Sequence, residues 1–143
     1  MKLMQGDMMT VFDQVDHFIV CVGSGLRSDG SITMHDGVAG ALTKLHPAIP
    51  MAVGEWIKAN HGDAGIFWLR VAGKVGVFQN SILLRNGVNL GLISAATKLL
   101  KELAEANPDK TYALEAPNGK DPYWMIKDIM ETLPENVQVW QPN

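Results

Sequence analysis

The chain has 143 residues, of which 47% are hydrophobic and 19% charged, values typical of one folded domain and not of a disordered chain. Its net charge of -3, with no cluster of Lys or Arg, excludes duplex nucleic acid as an expected main partner. No apolar run reaches the length of a membrane span, and the first residues lack the pattern of a secretory signal. We therefore expect a single domain over residues 1–143, located in the cytoplasm, with no membrane partner.

Short apolar runs alternate with helical patterns along the chain. The predicted strands are 1–5, 18–22, 66–71, 75–78, 112–116 and 137–140. The predicted helices are 37–46, 51–60 and a helix that Asn89 caps and Asn107 ends. The segment NHGDAG, at 60–65, predicts a turn. This alternation favours a three-layer α/β/α sandwich with a mixed, largely parallel sheet.

A last helix is predicted from Pro122 to Leu133. Proline suits the first helical position, because its missing N–H would have no partner within the helix. Asp121 stands directly before it, where a carboxylate caps free backbone N–H groups. Helix capping alone explains an aspartate at this position, and a catalytic role stays open beside it.

Cysteine and histidine usage predicts neither a disulfide nor a metal site. Cys21 is the only cysteine, and it lies in an apolar run where an inert thiol is expected. His17, His46 and His61 show no metal-ligand spacing with Asp, Glu or Cys. We therefore expect no metal and no cofactor.

The segment VGSGLRSDGSITMHDGVAG, residues 22–40, follows a predicted strand and leads into a helix of small residues. Glycines let backbone N–H groups approach a phosphate, and a helix N-terminus adds partial positive charge. The lysine of a P-loop and a Gly-x-Gly-x-x-Gly run are both absent. From the residues alone, a plain connection and an anion site are equally supported.

Other segments resemble the macrodomain family, whose members bind ADP-ribose. MQGDMM places Gly6 and Asp7 after the first strand, FIVCVGS follows, and ALEAPNGKDPYW closes the last strand-to-helix crossing. The similarity runs in order to the C-terminal VQVW, and is greatest to the terminal ADP-ribose protein glycohydrolases and the related ADP-ribose phosphatases. It implies a stand-alone macrodomain that binds ADP-ribose or a nucleotide containing it. ADP-ribosylated protein is a further expected partner, and such compact macrodomains occur in bacteria and their phages.

The resemblance also implies particular ligand-binding residues. Asp7 corresponds to the aspartate that accepts a hydrogen bond from the adenine amino group, and the backbone of Met8 touches adenine. Ser24 falls near the distal ribose. The first diphosphate loop comprises Met34, His35, Asp36, Gly37, Val38 and Ala39. The second comprises Asn118, Gly119, Lys120 and Asp121, with Tyr123 and Trp124 expected to lie half in the core and half in the pocket wall.

Departures from the family pattern bear on function. Cys21–Ser24 replaces an Asn-Ala-Ala-Asn run, and Gln79 and Asn80 stand where the glycohydrolases carry a lysine nucleophile. Neither amide can form a Schiff base, which favours a reader or sequestering protein. The alternative is hydrolysis of ADP-ribosyl linkages or ADP-ribose 1''-phosphate, assisted by Asp121 and His35. Two other interpretations also stay open. His35 could be a plain solvent-facing loop residue, and the cleft could be vestigial.

The two phosphate loops differ in length from the family pattern. The insertion GLRSDGSIT lengthens the first loop, and the second is shortened between Pro117 and Gly119. We therefore expect a pocket shaped around a different distal group.

Overall fold

A computed structural model of the chain describes residues 1–34, 37–62, 65–82 and 87–143. These ranges contain a six-stranded sheet in the order β1-β6-β5-β2-β4-β3. Neighbouring strands are parallel except for the antiparallel pair β3 and β4, which confirms the predicted mixed, largely parallel sheet. The strands are β1 (Lys2–Gln5), β2 (His17–Val22), β3 (Leu69–Val71), β4 (Val75–Gln79), β5 (Tyr112–Glu115) and β6 (Val137–Gln141).

Helices cover both faces of this sheet. The third helix starts as predicted, because the Asn89 side chain accepts a hydrogen bond from the backbone N–H of Leu92 at 3.0 Å. None of the helices in the described ranges combines the length and apolar content that crossing a bilayer requires. The helices are α1 (Val38–Leu45), α2 (Ile49–His61), α3 (Leu90–Ala106) and α4 (Lys127–Met130), with 3₁₀ turns at Met8–Val11 and Tyr123–Met125.

Two hydrophobic clusters lie on opposite faces of the sheet. Alternation along β2 sends Val20 to one face and Ile19 to the other. The first cluster joins the sheet to α1 and α2 and includes Leu42, Val53 and Ile57. The second joins it to α3 and α4 and includes Ile93, Leu100, Leu114 and Met130. The predicted three-layer sandwich is therefore confirmed.

The predicted helix from Pro122 to Leu133 is wrong. Pro122 has extended backbone (φ -64°, ψ 140°), and the segment forms the 3₁₀ turn Tyr123–Met125 followed by the short α4. Ile126, Met130 and Leu133 are nevertheless buried, so the apolar spacing reflects burial against the sheet and not a continuous helix. Asp121 caps no helix, since its carboxylate accepts a hydrogen bond from Val88 N at 3.3 Å.

Strand β3 is shorter than the predicted 66–71, because a side chain replaces its first ladder bonds. The side-chain oxygen Oε1 of Gln79 accepts hydrogen bonds from Phe67 N at 2.9 Å and from Trp68 N at 3.1 Å. Trp68 also has a positive φ of 61°, which does not fit a strand. In the predicted turn at 60–65, Asp63 and Ala64 lie outside the described residues, and His61 is the last residue of α2.

Helix α2 packs closely against the loop before α1, and Gly54 is at the contact. Ile32 N donates to Pro50 O at 2.9 Å. A Cβ atom at Gly54 would overlap the carbonyl oxygen of Gly30 and lie 2.9 Å from Ser31 Cα. Only a glycine therefore lets the loop approach the helix this closely.

We expect Gly54→Ala to lower the free energy of unfolding by about 1 to 3 kcal/mol through overpacking, although alanine favours helix. Urea unfolding monitored by circular dichroism measures this change in the free energy of unfolding. The control is Ala59→Ser on the exposed face of the same helix, which should change stability by less than about 0.5 kcal/mol. Equal or greater stability of Gly54→Ala would contradict the described contact.

Candidate functional site

The candidate site lies at the edge of the sheet where five parallel strands have their carboxyl ends. In parallel sheets ligands bind at this edge, where loops lead into helices. Four segments predicted to bind ligand or to flank it follow these strands: 6–8 after β1, 23–24 after β2, 80–82 after β4 and 116–121 after β5. Helix α1 begins above the same edge.

Asp7 and Met8 leave the end of β1 together. Gly6, with φ 132°, turns the chain there, and its N–H donates to Gln141 O at 2.9 Å. One carboxylate oxygen of Asp7, Oδ1, accepts from Met9 N at 3.0 Å, and the side chain is exposed. Met8 is 1% exposed, so its side chain belongs to the core and only its backbone can reach a ligand.

The start of α1 is a second part of the site. Gly37 precedes the helix with φ 76° and ψ -142°, a conformation that favours glycine. No side chain within the described residues caps this helix start. The 3₁₀ turn Met8–Val11 packs against both α1 and β5, which brings the Asp7 segment beside the helix start.

Not every residue of the predicted first diphosphate loop presents a side chain to a ligand. Met34 and Ala39 are buried in the first hydrophobic cluster, and Val38 packs against it. These three residues therefore have only backbone groups to offer. His35 and Asp36 lie outside the described residues.

Ser24 joins the loops that follow β2 and β4. Its hydroxyl donates to Ile82 O at 2.6 Å, and its N–H points to the same oxygen at 3.4 Å. A Cβ atom at Gly65 would lie 3.7 Å from Ser24 Cβ, so these two residues are neighbours. Because the hydroxyl proton is engaged, Ser24 has its remaining acceptor capacity for a ligand.

The second predicted phosphate loop is a closed turn. Asp121 N donates to Asn118 O at 2.9 Å, and Asn118 Nδ2 donates to Asp121 O at 2.7 Å. Gly119 takes a positive φ of 56°, and Lys120 is exposed. The contact of the Asp121 carboxylate with Val88 N ties this turn to the segment before α3.

Tyr123 and Trp124 differ from the expected pocket wall. Tyr123 packs against the second hydrophobic cluster and lines a groove of about 300 Å³ with Met1, Leu3 and Lys127. Met1 directly precedes β1 and Leu3 lies near its amino end, away from the strand ends that carry the site. Trp124 is 75% exposed, so the expectation that it lies half in the core is wrong.

Gln79 and Asn80 are buried scaffold residues. Besides accepting from Phe67 and Trp68, Gln79 donates from Nε2 to Gly65 O at 2.7 Å. Asn80 Nδ2 donates to Pro117 O at 3.0 Å and so connects the end of β4 to the loop after β5. At this position the chain uses amides to hold loops in place.

Glu115 is a candidate that the sequence analysis missed. It is the last residue of β5, and its Oε1 accepts a hydrogen bond from Cys21 N at 2.8 Å. Its Oε2 lies 4.0 Å from the position that a Cβ atom on Gly37 would take, so the carboxyl group points to the start of α1. The sequence signal that could have indicated this candidate is a single acidic residue in the otherwise uncharged strand segment YALEA, residues 112–116.

The surroundings of Glu115 favour its neutral form. Burial raises the pKa of Glu115 to about 7, against an opposing effect of the hydrogen bond from Cys21 N. Cys21 Sγ donates to Glu115 O at 3.2 Å, and burial raises the pKa of this thiol well above its ordinary value. The raised pKa keeps this thiol in its protonated form at neutral pH. Within the ranges that the structure describes, no group of three His, Cys, Asp or Glu residues is placed to hold a metal ion.

The structure is similar to solved macrodomains. It superposes on the macrodomain of Thermus aquaticus DarG with a TM-score of 0.71 and 16% identity, covering 99% of this chain and 97% of that one. Its superposition on Thermosipho africanus DarTG, solved in complex with ADP-ribose, gives a TM-score of 0.68 with 15% identity. That match covers 99% of this chain and 42% of the DarTG chain. The macrodomain of Mycobacterium tuberculosis DarG superposes with a TM-score of 0.64 and 16% identity, covering 99% of this chain and 98% of that one.

These similarities show that the chain has the macrodomain fold, which confirms the predicted resemblance at the level of the fold. No protein-family model and no curated protein matches the sequence. At 15–17% identity the likeness to these solved structures concerns the fold alone.

We expect the stability of the protein to fall with rising pH because of Glu115. Its pKa is raised from 4.5 in the unfolded chain to about 7, so its stabilising effect is complete below pH 4.5 and is lost as the pH rises to 7. Between pH 5 and pH 8 this loss is about 2 to 3 kcal/mol, and Glu115→Gln should abolish it. Urea unfolding at each pH measures the difference.

The control for this series is Glu102→Gln on the exposed face of α3, which should keep the pH dependence of the wild type. If Glu115→Gln and the wild type lose the same free energy of unfolding over this range, Glu115 does not take up the proton.

Proposed function

We propose that this chain binds ADP-ribose, or a nucleotide containing it, in the cleft at the carboxyl ends of its parallel strands. It acts there as a single macrodomain unit, a cytoplasmic reader or sequestering protein. The observation that carries the proposal is the packing of the Asp7 segment beside a helix start that no described side chain caps. A carboxylate acceptor thus lies beside backbone N–H groups that would suit a phosphate, which supports the proposal. The complex of Thermosipho africanus DarTG with ADP-ribose, on the same fold, supports it.

The adenine base is the group that Asp7 would recognise. Oδ1 of this carboxylate accepts from Met9 N, and Oδ2 makes no hydrogen bond within the described residues. A carboxylate oxygen accepts readily from the exocyclic amino group of adenine. The Met8 N–H stands beside it on the same turn, where it would donate to a ring nitrogen of the base.

The pyrophosphate would bind at the start of α1. The first backbone N–H groups of a helix have no partner within the helix and carry partial positive charge, which suits an anion. Gly37 has no side chain to occupy the space in front of them. The net charge of -3 does not oppose this, because the attraction comes from local backbone dipoles.

The distal ribose would lie toward Ser24 and the loop after β4. The acceptor capacity of the Ser24 hydroxyl suits a ribose hydroxyl group. A protein joined to the distal ribose would leave the cleft on this side, which makes ADP-ribosylated protein the proposed macromolecular partner.

Hydrolysis is the second function to be tested. The described residues favour binding over it, because Gln79 and Asn80 are engaged in scaffold hydrogen bonds and carry no amine nucleophile. Oδ2 of Asp121, the proposed general base, already accepts from Val88 N. His35, the other proposed participant, lies outside the described residues.

Calorimetric titration with ADP-ribose, followed by chromatography after incubation with ADP-ribose 1''-phosphate and ADP-ribosylated protein, tests the proposal. We expect saturable binding with no product. Product formation that is lost in Asp121→Asn while binding is kept would establish a hydrolase instead.

We expect Asp7→Asn to weaken ADP-ribose binding by about 1 to 3 kcal/mol, because an amide nitrogen would replace the acceptor that faces the adenine amino group. The amide oxygen still accepts from Met9 N, so the local turn is preserved. Calorimetry with ADP-ribose and its hypoxanthine analogue, in which a carbonyl replaces the amino group, measures the effect. The wild type should prefer ADP-ribose, and the variant should lose that preference.

A matched control for this prediction is Asp16→Asn. Asp16 also accepts hydrogen bonds through its carboxylate, from Thr111 N at 2.8 Å, but it lies at the amino end of β2. This variant should bind ADP-ribose like the wild type. Unchanged base preference in folded Asp7→Asn would remove the adenine assignment.

We expect Gly37→Val to abolish ADP-ribose binding, because a side chain at this position would fill the space of the pyrophosphate. The positive φ also makes valine costly, so stability should fall by about 1 to 2 kcal/mol. Gly73→Val is the matched control. Gly73 has a similar φ of 68° with nothing within 4 Å of its Cβ position, and it lies between β3 and β4 at the opposite edge of the sheet.

Both variants are followed by thermal unfolding and by calorimetry. Gly73→Val should lose similar stability and keep full affinity. If folded Gly37→Val binds like the wild type, the segment MHDGVAG is only the start of a helix.

A further inference from the structure

Glu115 is a buried titratable side chain at the site that the proposed function leaves unexplained. Oε1 of its carboxyl group accepts a hydrogen bond from Cys21 N at 2.8 Å. Its backbone carbonyl oxygen accepts one from the Cys21 thiol. Its other oxygen, Oε2, makes no hydrogen bond within the described residues and points to Gly37. The side chain thus presents a free oxygen to the place where an anion would bind.

An ionised carboxylate at this place would oppose the ligand. The pyrophosphate of ADP-ribose keeps its negative charges across the neutral pH range, and two like charges in a partly desolvated cleft repel strongly. A neutral carboxyl group has the opposite effect, because its O–H donates a hydrogen bond to a phosphate oxygen. The protonation state of Glu115 therefore decides whether it repels or binds the ligand.

We propose that ADP-ribose binding is coupled to the uptake of one proton by Glu115, whose Oε2–H then donates to the pyrophosphate. This proposal rests on the proposed function, since it concerns the same cleft. It makes affinity depend on pH in the direction of tighter binding in acid.

The groups around Glu115 are consistent with a proton held at this residue. From β2 the Cys21 thiol faces it, and burial keeps that thiol protonated. Strand β6 carries no titratable residue, and the first turn of α1 carries none either. The 3₁₀ turn Met8–Val11 contributes only its capping residue, Asp7, which is exposed. His35 and Asp36 precede Gly37 outside the described residues, so the experiment includes a variant that tests His35.

The coupling gives a quantitative expectation. Burial raises the pKa of Glu115 to about 7, so at pH 7 roughly half of the free protein already carries the proton. Binding at that pH should take up about half a proton per ADP-ribose. Above pH 7, the affinity for ADP-ribose should decrease with rising pH, and the decrease should approach tenfold per pH unit, because binding and protonation are linked reciprocally.

The test measures ADP-ribose affinity between pH 6 and pH 9 for the wild type, Glu115→Gln, Glu102→Gln and His35→Gln. Titration at pH 7 in buffers of different ionisation enthalpy counts the protons taken up. Glutamine keeps the acceptor for Cys21 N and is neutral at every pH. We expect Glu115→Gln to bind with an affinity independent of pH and with no proton uptake. Glu102→Gln, on the exposed face of α3, should behave like the wild type.

Two results would overturn the proposal. One is an equal pH dependence and equal proton uptake in Glu115→Gln and the wild type. The other is loss of both in His35→Gln but not in Glu115→Gln, which would place the proton on His35. Absence of ADP-ribose binding by folded wild type even at pH 6 is a different result, because it refutes the proposed function itself.

Discussion

The parallel pairing of β2 with β4 on one side and β5 on the other is the constraint on which the site depends. The register places Val22 opposite Gln79, so β2 and β4 end at the same level of the sheet. It places Ile19 opposite Leu114, so β5 ends at Glu115, slightly before that level on the same edge. Every segment that carries a candidate ligand-binding residue leaves the sheet from that edge or begins a helix above it. A shift of this register would separate the segments, because side chains alternate between faces along each strand.

Buried polar side chains hold the loops at this edge. Asn80 connects the end of β4 to Pro117, Ser24 connects β2 to Ile82, and Gln79 binds the backbone of the segment before β3. A buried hydrogen-bonding group that loses its partner costs free energy, so these contacts fix the loops strongly. In this chain the two amide side chains at the end of β4 therefore hold neighbouring loops in place.

The electrostatics of the cleft combine an attractive and a repulsive element. At the proposed pyrophosphate site, the start of α1 would attract an anion through its backbone dipoles, and an ionised Glu115 would repel one. Both elements lie on the first-cluster side of the sheet, at the contact between β5, α1 and the 3₁₀ turn Met8–Val11. Because burial raises the pKa of Glu115 to about 7, the balance between them lies within the neutral range.

The sequence by itself determined the features that depend on local pattern. Apolar periodicity located α1, α2, α3 and the central strands, Asn89 marked the start of α3, and the order of motifs indicated the macrodomain fold. The helix predicted from Pro122, the length of β3 and the capping role of Asp121 were wrong. Each depends on a partner distant in the chain. The segment after Pro122 is shaped by burial of Ile126 against the sheet, and β3 is shortened by the Gln79 side chain. The Asp121 carboxylate is engaged by the N–H of Val88. Only the tertiary structure brought Glu115 to Gly37, because desolvation and contact between residues 78 positions apart are properties of the packed chain and not of any local pattern.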